Sequence, residues 1–154
     1  MIIMQCFKSY DINAYDQNGW TPLDTTVTYE EPKLCRLLCE RGDVDVDKGL
    51  WYDGSIALHA AVLYRGSMEC MRILLDVGKA NVNTKSYSSS TPLHSAASND
   101  HLEAATLLIE RGAEINPLNR HNKTPLDLAH YDNHTATIAF LKTKGAVRGS
   151  QPVA

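Results

Sequence analysis

The sequence predicts an all-α solenoid of stacked helix-turn-helix units joined by β-hairpin-like loops. Three observations predict it. Thr21-Pro22-Leu23 recurs as Thr91-Pro92-Leu93 and Thr124-Pro125-Leu126, with a degenerate copy at Ile56-Ala57-Leu58. The leucines of these blocks stand 35, 35 and 33 positions apart (58−23, 93−58, 126−93). A second marker, an apolar pair followed by Gly42, Gly78, Gly112 or Gly145, runs in phase at steps of 36, 34 and 33. Two markers in phase at a period near 33 mean stacked repeats. Such a chain builds a surface for a partner more readily than a pocket for a substrate.

Each element has a physical reading. Thr-Pro starts a helix, because threonine caps free N–H groups and proline suits the first helical position. The leucine and the small Ala-Ala pair that follow let this short helix sit close to its neighbours. The second helix carries apolar residues at i, i+3 and i+4, as in Leu34, Leu37 and Leu38 or Met71, Leu74 and Leu75. The glycine after it fits a left-handed C-cap. The segment beyond, such as Ala80-Asn81-Val82-Asn83, leads into a hairpin-like turn. Neither helix can bury its apolar face within one unit, so the units must stack.

The blocks resemble the ankyrin repeat, whose core is T-P-L-H-x-A. Thr91-Pro92-Leu93-His94-Ser95-Ala96-Ala97 matches it in full and runs on into Asp100-His101-Leu102-Glu103. Leu107-Leu108-Ile109-Glu110-Arg111-Gly112-Ala113-Glu114-Ile115-Asn116 is close to the family's L-L-x-x-x-G-A-D-V-N ending. The resemblance divides the chain into a partial repeat at residues 1–15 and four fuller ones at about 16–48, 49–84, 85–117 and 118–146. Residues 147–154 form a tail that is expected to fray. The partial repeat is expected to be the least protected part of the array, or else to self-associate.

Departures from the pattern carry expectations of their own. Asp24-Thr25-Thr26-Val27 stands where H-x-A-A belongs, so the first inner helix is expected to be short or irregular. The stretches after Gly42 and Gly78, and Leu63-Tyr64-Arg65-Gly66, each suggest an inserted residue. Ser89 and Asn122 take hairpin positions where the family prefers glycine, and asparagine tolerates the left-handed conformation.

Composition fits one ordinary globular domain. The apolar fraction is 44% and the net charge −3. No run of 18 apolar residues appears, so no spanning helix and no membrane role is expected. Met1-Ile2-Ile3-Met4 is short and lacks a basic flank, unlike a signal peptide. The cytosol is the expected compartment, whether the producing cell's or, for a pathogen effector, a host's, with the nucleus left open. Cys35 and Cys70 fall at helix positions facing other repeats, where free cysteine acts as a small hydrophobe. Cys6 and Cys39 are less well placed. Charge runs from about −4 over residues 1–50 (nine acids, five bases) to about +1 over residues 101–154 (five acids, six bases). No basic stripe marks a nucleic-acid binder.

Neither metal, cofactor nor catalysis is indicated. Asp43-Val44-Asp45-Val46-Asp47 resembles the start of a calcium loop, but Lys48 and Gly54 stand where glycine and a bidentate glutamate are needed. His130 and His134 share i, i+4 spacing without the glutamate of H-E-x-x-H. His59 and His94 are the T-P-L-H histidines, read as structural hydrogen bonders. There is no phosphate-cradling glycine loop and no nucleophile motif.

The residues that the repeat pattern leaves unexplained are the candidate site. The resemblance implies a concave face made by hairpin tips and inner-helix ends. Mapped onto this chain, that face takes Gln17, Asn18 and Trp20, then Trp51 and Tyr52, then Tyr87 and Ser90, then Arg120 and Lys123. Tyr29, Tyr64 and Tyr131 come from the inner-helix ends. Trp51 is also placed to cover the lengthened loop. Tyrosine, tryptophan and arginine are the usual interface anchors. The resemblance therefore implies a protein-binding module acting as inhibitor, competitor or adaptor. Short ankyrin-only proteins include kinase and transcription-factor inhibitors and host-directed effectors. The alternative is a scaffold, or half of a larger assembly, working by self- or hetero-association at its N-terminal edge.

Overall fold

The structure is a computed structural model that describes residues 11–50, 52–64 and 67–149. Among these residues there are eight α-helices and no strand. They form four pairs: α1 (Pro22–Thr28) with α2 (Pro32–Cys39), α3 (Ala57–Leu63) with α4 (Met68–Asp76), α5 (Pro92–Ser98) with α6 (Leu102–Glu110), and α7 (Pro125–Tyr131) with α8 (Thr135–Thr143). The first helices stack in one row, α1 on α3 on α5 on α7, and the second helices stack behind them.

Side chains repeat in columns through the stack. Leu23, Leu58, Leu93 and Leu126 form one buried column of the inner row. Leu38, Leu74, Leu108 and Leu141 form the matching column of the outer row, each six positions into its helix. Ala61, Ala96 and Ala129 are fully buried where the inner helices meet, since only a small side chain fits so close an approach.

The first inner helix is regular, contrary to the sequence expectation. α1 has seven residues, as do α3, α5 and α7. Its hydroxyls bond locally: Thr25 Oγ1 donates to Thr21 O at 3.2 Å and Thr26 Oγ1 to Leu23 O at 2.8 Å. Thr21 and Asp24 cap its start reciprocally. Polar residues thus satisfy themselves within the helix and leave Leu23 and Val27 to pack.

The outer stripe of α2 differs from its sequence reading. Cys35, Leu38 and Cys39 are buried, whereas Leu34 is 48% and Leu37 61% exposed. At the same two positions of α4 and α6, Cys70, Ile73, Ala104 and Leu107 are buried. The later pairs are covered by the helix in front; α2 is the first outer helix described.

Left-handed residues also fall in columns. The hairpin column is Gly19, Gly54, Ser89 and Asn122, with φ of 79°, 69°, 59° and 54°. Gly112 and Gly145 make left-handed helix ends at 89° and 82°. Gly42 and Gly78 do not; after α4 the left-handed residue is Lys79, at 57°. The extra residue in that loop moves the cap one position on. The α3–α4 connection is likewise one longer: helix starts lie 11 apart there (68−57) and 10 apart in the other three pairs (32−22, 102−92, 135−125). Arg65 and Gly66 of that connection lie outside the described residues.

Part of the tail is fixed, contrary to the expectation that it frays. Val147 N–H donates to Asn116 Oδ1 at 2.8 Å, and Thr124 Oγ1 donates to Val147 O at 2.9 Å. Gly149 N–H and Arg148 Nε donate to the two carboxylate oxygens of Asp127 at 2.8 and 2.9 Å. Residues 147–149 close the open end of the last repeat; residues 150–154 lie outside the described residues.

Candidate functional site

The rim of the inner row starts with its loops. Asp16 organises the first tip: its Oδ1 accepts from Asn18 N–H at 2.8 Å and Trp20 N–H at 2.9 Å. The Trp20 N–H in particular holds the Asp16 carboxyl below its ordinary pKa. Successive tips are stitched by backbone bonds, Tyr87 N–H to Asp53 O at 2.8 Å and Arg120 N–H to Ser88 O at 3.0 Å. The tips therefore form a rigid row, not independent loops.

The inner helices are tied to the same row by histidine. His59 Nε2 lies 3.0 Å from Ser90 O, and His94 Nε2 lies 2.9 Å from Lys123 O, each one repeat ahead. The Nδ1 atoms accept from Ile56 N–H (3.3 Å) and Thr91 N–H (3.1 Å), the free N–H groups at the starts of α3 and α5. Both rings are therefore neutral, with the proton on Nε2. Burial pushes both pKa values below the ordinary histidine value. These are structural hydrogen bonders, as the sequence reading held. His134 Nε2 reaches Ser98 O at 3.0 Å in a similar bridge behind the inner row.

The sequence-assigned face residues divide into three sets. Tyr29, Tyr52, Tyr64, Tyr87 and Tyr131 are 70%, 52%, 41%, 65% and 86% exposed. Gln17, Asn18 and Arg120 are exposed as well. Ser90 and Lys123 are half-buried, and their carbonyls are the acceptors for the two histidines. Trp20 is also half-buried, and its ring lines a groove at the N-terminal end instead of standing free. Trp51 lies outside the described residues. Tyr87, although exposed, lies on Gly54, where a Cβ would run into its ring.

Sequence reasoning missed two cavities, one at each end of the row. The groove at the N-terminal end has a volume of about 640 Å³ and is walled by α1, α2 and residues 12–16. A smaller one of about 280 Å³ lies at the other end between Lys123, His130, Tyr131 and Arg148. Behind the rim, Cys35 and Cys70 are buried free thiols, as their helix positions implied, and Cys39 joins them. Cys35 donates to Cys39; that bond and burial drive the Cys35 pKa up, whereas the same bond, working against burial, lowers that of Cys39. Burial pushes Cys70 up to about 12. Among the described residues no group of three His, Cys, Asp or Glu is placed to hold a metal ion. The acidic run is occupied otherwise: Asp43 pairs with Arg41 at 2.7 Å, and Asp47 accepts from Asn81 N–H at 2.9 Å. No described helix is long and apolar enough to cross a membrane.

A family model described as ankyrin repeats, in three copies, matches residues 2–86, 43–119 and 78–150. The chain belongs to the ankyrin-repeat family. Ankyrin repeats are non-catalytic protein–protein interaction modules, which agrees with a rigid row of exposed tyrosines. Among curated relatives, the B-cell lymphoma 3 protein homolog of Mus musculus is 35% identical over 150 residues, covering 94% of this chain and 33% of that protein. Alpha-latrocrustotoxin-Lt1a of Latrodectus tredecimguttatus is 32% identical over 123 residues, 79% of this chain and 8% of the toxin. The human transient receptor potential cation channel subfamily A member 1 is 28% identical over 120 residues, 73% of this chain and 10% of the channel. This ankyrin domain thus spans a third or less of the length of these relatives.

Proposed function

We propose that this ankyrin domain binds a partner protein through the concave rim of hairpin tips and inner-helix ends, as an inhibitor, competitor or adaptor. The observation that carries this is the set of five exposed tyrosines along the rim, at positions the stacking columns do not use. Each offers a large amphipathic ring with few rotamers to freeze. The bonded tips and the histidine ties hold these rings in place, so little ordering entropy opposes binding. Three buried free thiols suit a reducing compartment such as the cytosol, the producing cell's or a host's. A second reading is a scaffold that works by self- or hetero-association, and the groove beside α1 and α2 is the observation that favours it.

The test is capture of partners from the native cell by the wild-type chain, followed by calorimetry with the captured protein. Tyr29→Ala, Tyr64→Ala and Tyr131→Ala are combined, because all three are exposed at the inner-helix ends and none belongs to a stacking column. At about 2 kcal/mol or more for each true anchor, the triple variant should lose binding by several powers of ten while its circular dichroism is unchanged. Undiminished affinity would reject the rim. Glu110→Ala, on the outer row, should bind normally.

A further inference from the structure

Charge changes sign from one end of the array to the other. With histidine neutral, residues 16–48 carry eight acids and four bases, a net of −4 (4−8). Residues 118–149 carry two acids and five bases, a net of +3 (5−2). The cavity of about 280 Å³ lies in this basic end, where Lys123, Asp127, His130, Tyr131 and Arg148 meet. It is smaller than the roughly 300–1,000 Å³ of small-molecule sites, so it suits one side chain of a larger partner.

The one carboxylate lining this cavity is already engaged. Asp127 Oδ1 accepts from Arg148 Nε at 2.9 Å, and Oδ2 accepts from Thr124 N–H at 3.0 Å and Gly149 N–H at 2.8 Å. Arg148 is thereby fixed by one edge only. Its terminal guanidinium nitrogens donate to nothing among the described residues. Lys123 is half-buried, and all 18 acidic side chains of the chain belong to described residues. None of them pairs with Lys123. Lys123, Arg148 and Asp127 together give the cavity one net positive charge (1+1−1).

We propose that this cavity receives a glutamate or aspartate side chain of the partner, its carboxylate held between Lys123 and the outer edge of Arg148. This rests on the reading of the rim as a protein-binding face. A charge-assisted bond to each cation suits a monoanion. A phosphate dianion fits less well, because Asp127 stands behind the site and leaves one positive charge to meet it. The opposite end of the rim sets the orientation. Asp16 and Glu31 line the groove there and repel an acidic group, so the partner's acidic segment lies over the last repeat.

The experiment titrates the full chain, labelled with 13C and 15N, with three probes: a capped peptide of four glutamates, a capped peptide of four glutamines, and inorganic phosphate. The glutamate peptide should shift the side-chain signals of both Lys123 and Arg148, and the glutamine peptide should shift neither. Lys123→Gln should weaken the glutamate peptide about tenfold, the worth of one hydrogen bond to a charged group. The fold survives this change, because His94 uses the backbone carbonyl of residue 123. Lys142→Gln removes the same charge from the last turn of α8, away from the cavity, and should change affinity less than about twofold. Equal losses in the two variants would overturn the site in favour of a general attraction to the basic end. Unmoved Lys123 and Arg148 signals would overturn it outright, and a stronger response to phosphate would overturn the carboxylate. With a captured partner, a loss in the tyrosine triple variant but none in Lys123→Gln would keep the rim and reject the acidic contact.

Discussion

The Nε2 of His94 lies 2.9 Å from the carbonyl oxygen of Lys123, in the hairpin one repeat further on. The other ring nitrogen accepts from Thr91 N–H at the start of the helix that carries it. One neutral imidazole therefore caps its own helix and ties it to the next loop, and His59 repeats the arrangement with Ser90. A proton added at Nδ1 would face an N–H donor and break the first of these bonds.

That geometry makes the stack sensitive to mild acid. The folded-state pKa of both histidines is lowered by burial from 6.5. The unfolded chain then binds protons first as pH falls, so stability is complete above pH 6.5 and declines below it toward the folded-state values. The urea midpoint should be lower at about pH 5 than at about pH 7.5, because the unfolded state holds more protons across that interval. The double variant His59→Asn, His94→Asn should lose much of this dependence. A flat wild-type profile would contradict the account.

The first repeat lacks the tie. Asp24 occupies the histidine position and serves only its own helix, accepting from Thr21 N–H at 2.9 Å and Thr21 Oγ1 at 2.7 Å. Burial raises its carboxyl pKa, so the anion sits there at a cost. Asp24→His should keep the cap through Nδ1 and add a bond from Nε2 to Ser55 O, the counterpart of Ser90 O and Lys123 O. A gain of about 1 kcal/mol is expected, the net worth of one hydrogen bond. Denaturant titration at neutral pH measures it, and a loss would show that the ring does not fit the first repeat.

At the other end, Asp127 holds the same position with the opposite electrostatics. Burial works to raise its pKa, but the Thr124 N–H, the Arg148 guanidinium and the Gly149 N–H outweigh it and hold it at about 2. Its stabilisation is present above the ordinary 3.8 and is lost as pH falls through about 2. Removing the guanidinium by Arg148→Ala should move the Asp127 titration upward, read by carboxyl 13C shifts. The accompanying loss should be about 0.5–1.5 kcal/mol, since Arg148 is itself largely exposed. An unmoved Asp127 titration would mean that the two backbone donors hold the carboxylate without Arg148.

The leucine columns give the plainest stability test. Leu74 and Leu108 are fully buried, and either changed to Ala should cost about 2–5 kcal/mol. Leu37→Ala, at 61% exposure, should stay near the surface range of about 0.5 kcal/mol. Equal losses at all three positions would mean that Leu37 is covered in solution.

How much was legible follows from what repeats. The period, the helix starts at Thr-Pro, the histidine role and the left-handed Ser89 and Asn122 were readable because several copies report the same constraint. The regularity of α1 was not, because hydroxyls that bond back within the helix leave no apolar signature. Leu34 and Leu37 matched the helical period; their exposure depends on the neighbour in front, which periodicity does not report. The clamp of Arg148 and Gly149 on Asp127 occurs once, at an end, and no repeat announces it. For the rim, the tyrosines named from sequence are exposed, but the groove that takes up Trp20 was not legible, since a cavity forms between elements.

The tip of the second full repeat links fold and rim. Gly54 has φ of +69°, a conformation that costs a non-glycine residue about 1–2 kcal/mol. Gly112, at +89°, carries the same backbone penalty, but nothing lies within 4 Å of where its Cβ would be. At Gly54 a Cβ would meet the Tyr87 ring, so Gly54→Ala must push the ring away. Gly112→Ala should therefore lose about 1 kcal/mol of stability and leave the rim as it was. Gly54→Ala should lose that and more, release Tyr87, and weaken any partner that rests on it. Urea titration gives the first difference, and calorimetry with the captured partner gives the second. If the two variants bind alike, Tyr87 lies outside the contact, and the interface centres on the inner-helix ends at Tyr29, Tyr64 and Tyr131.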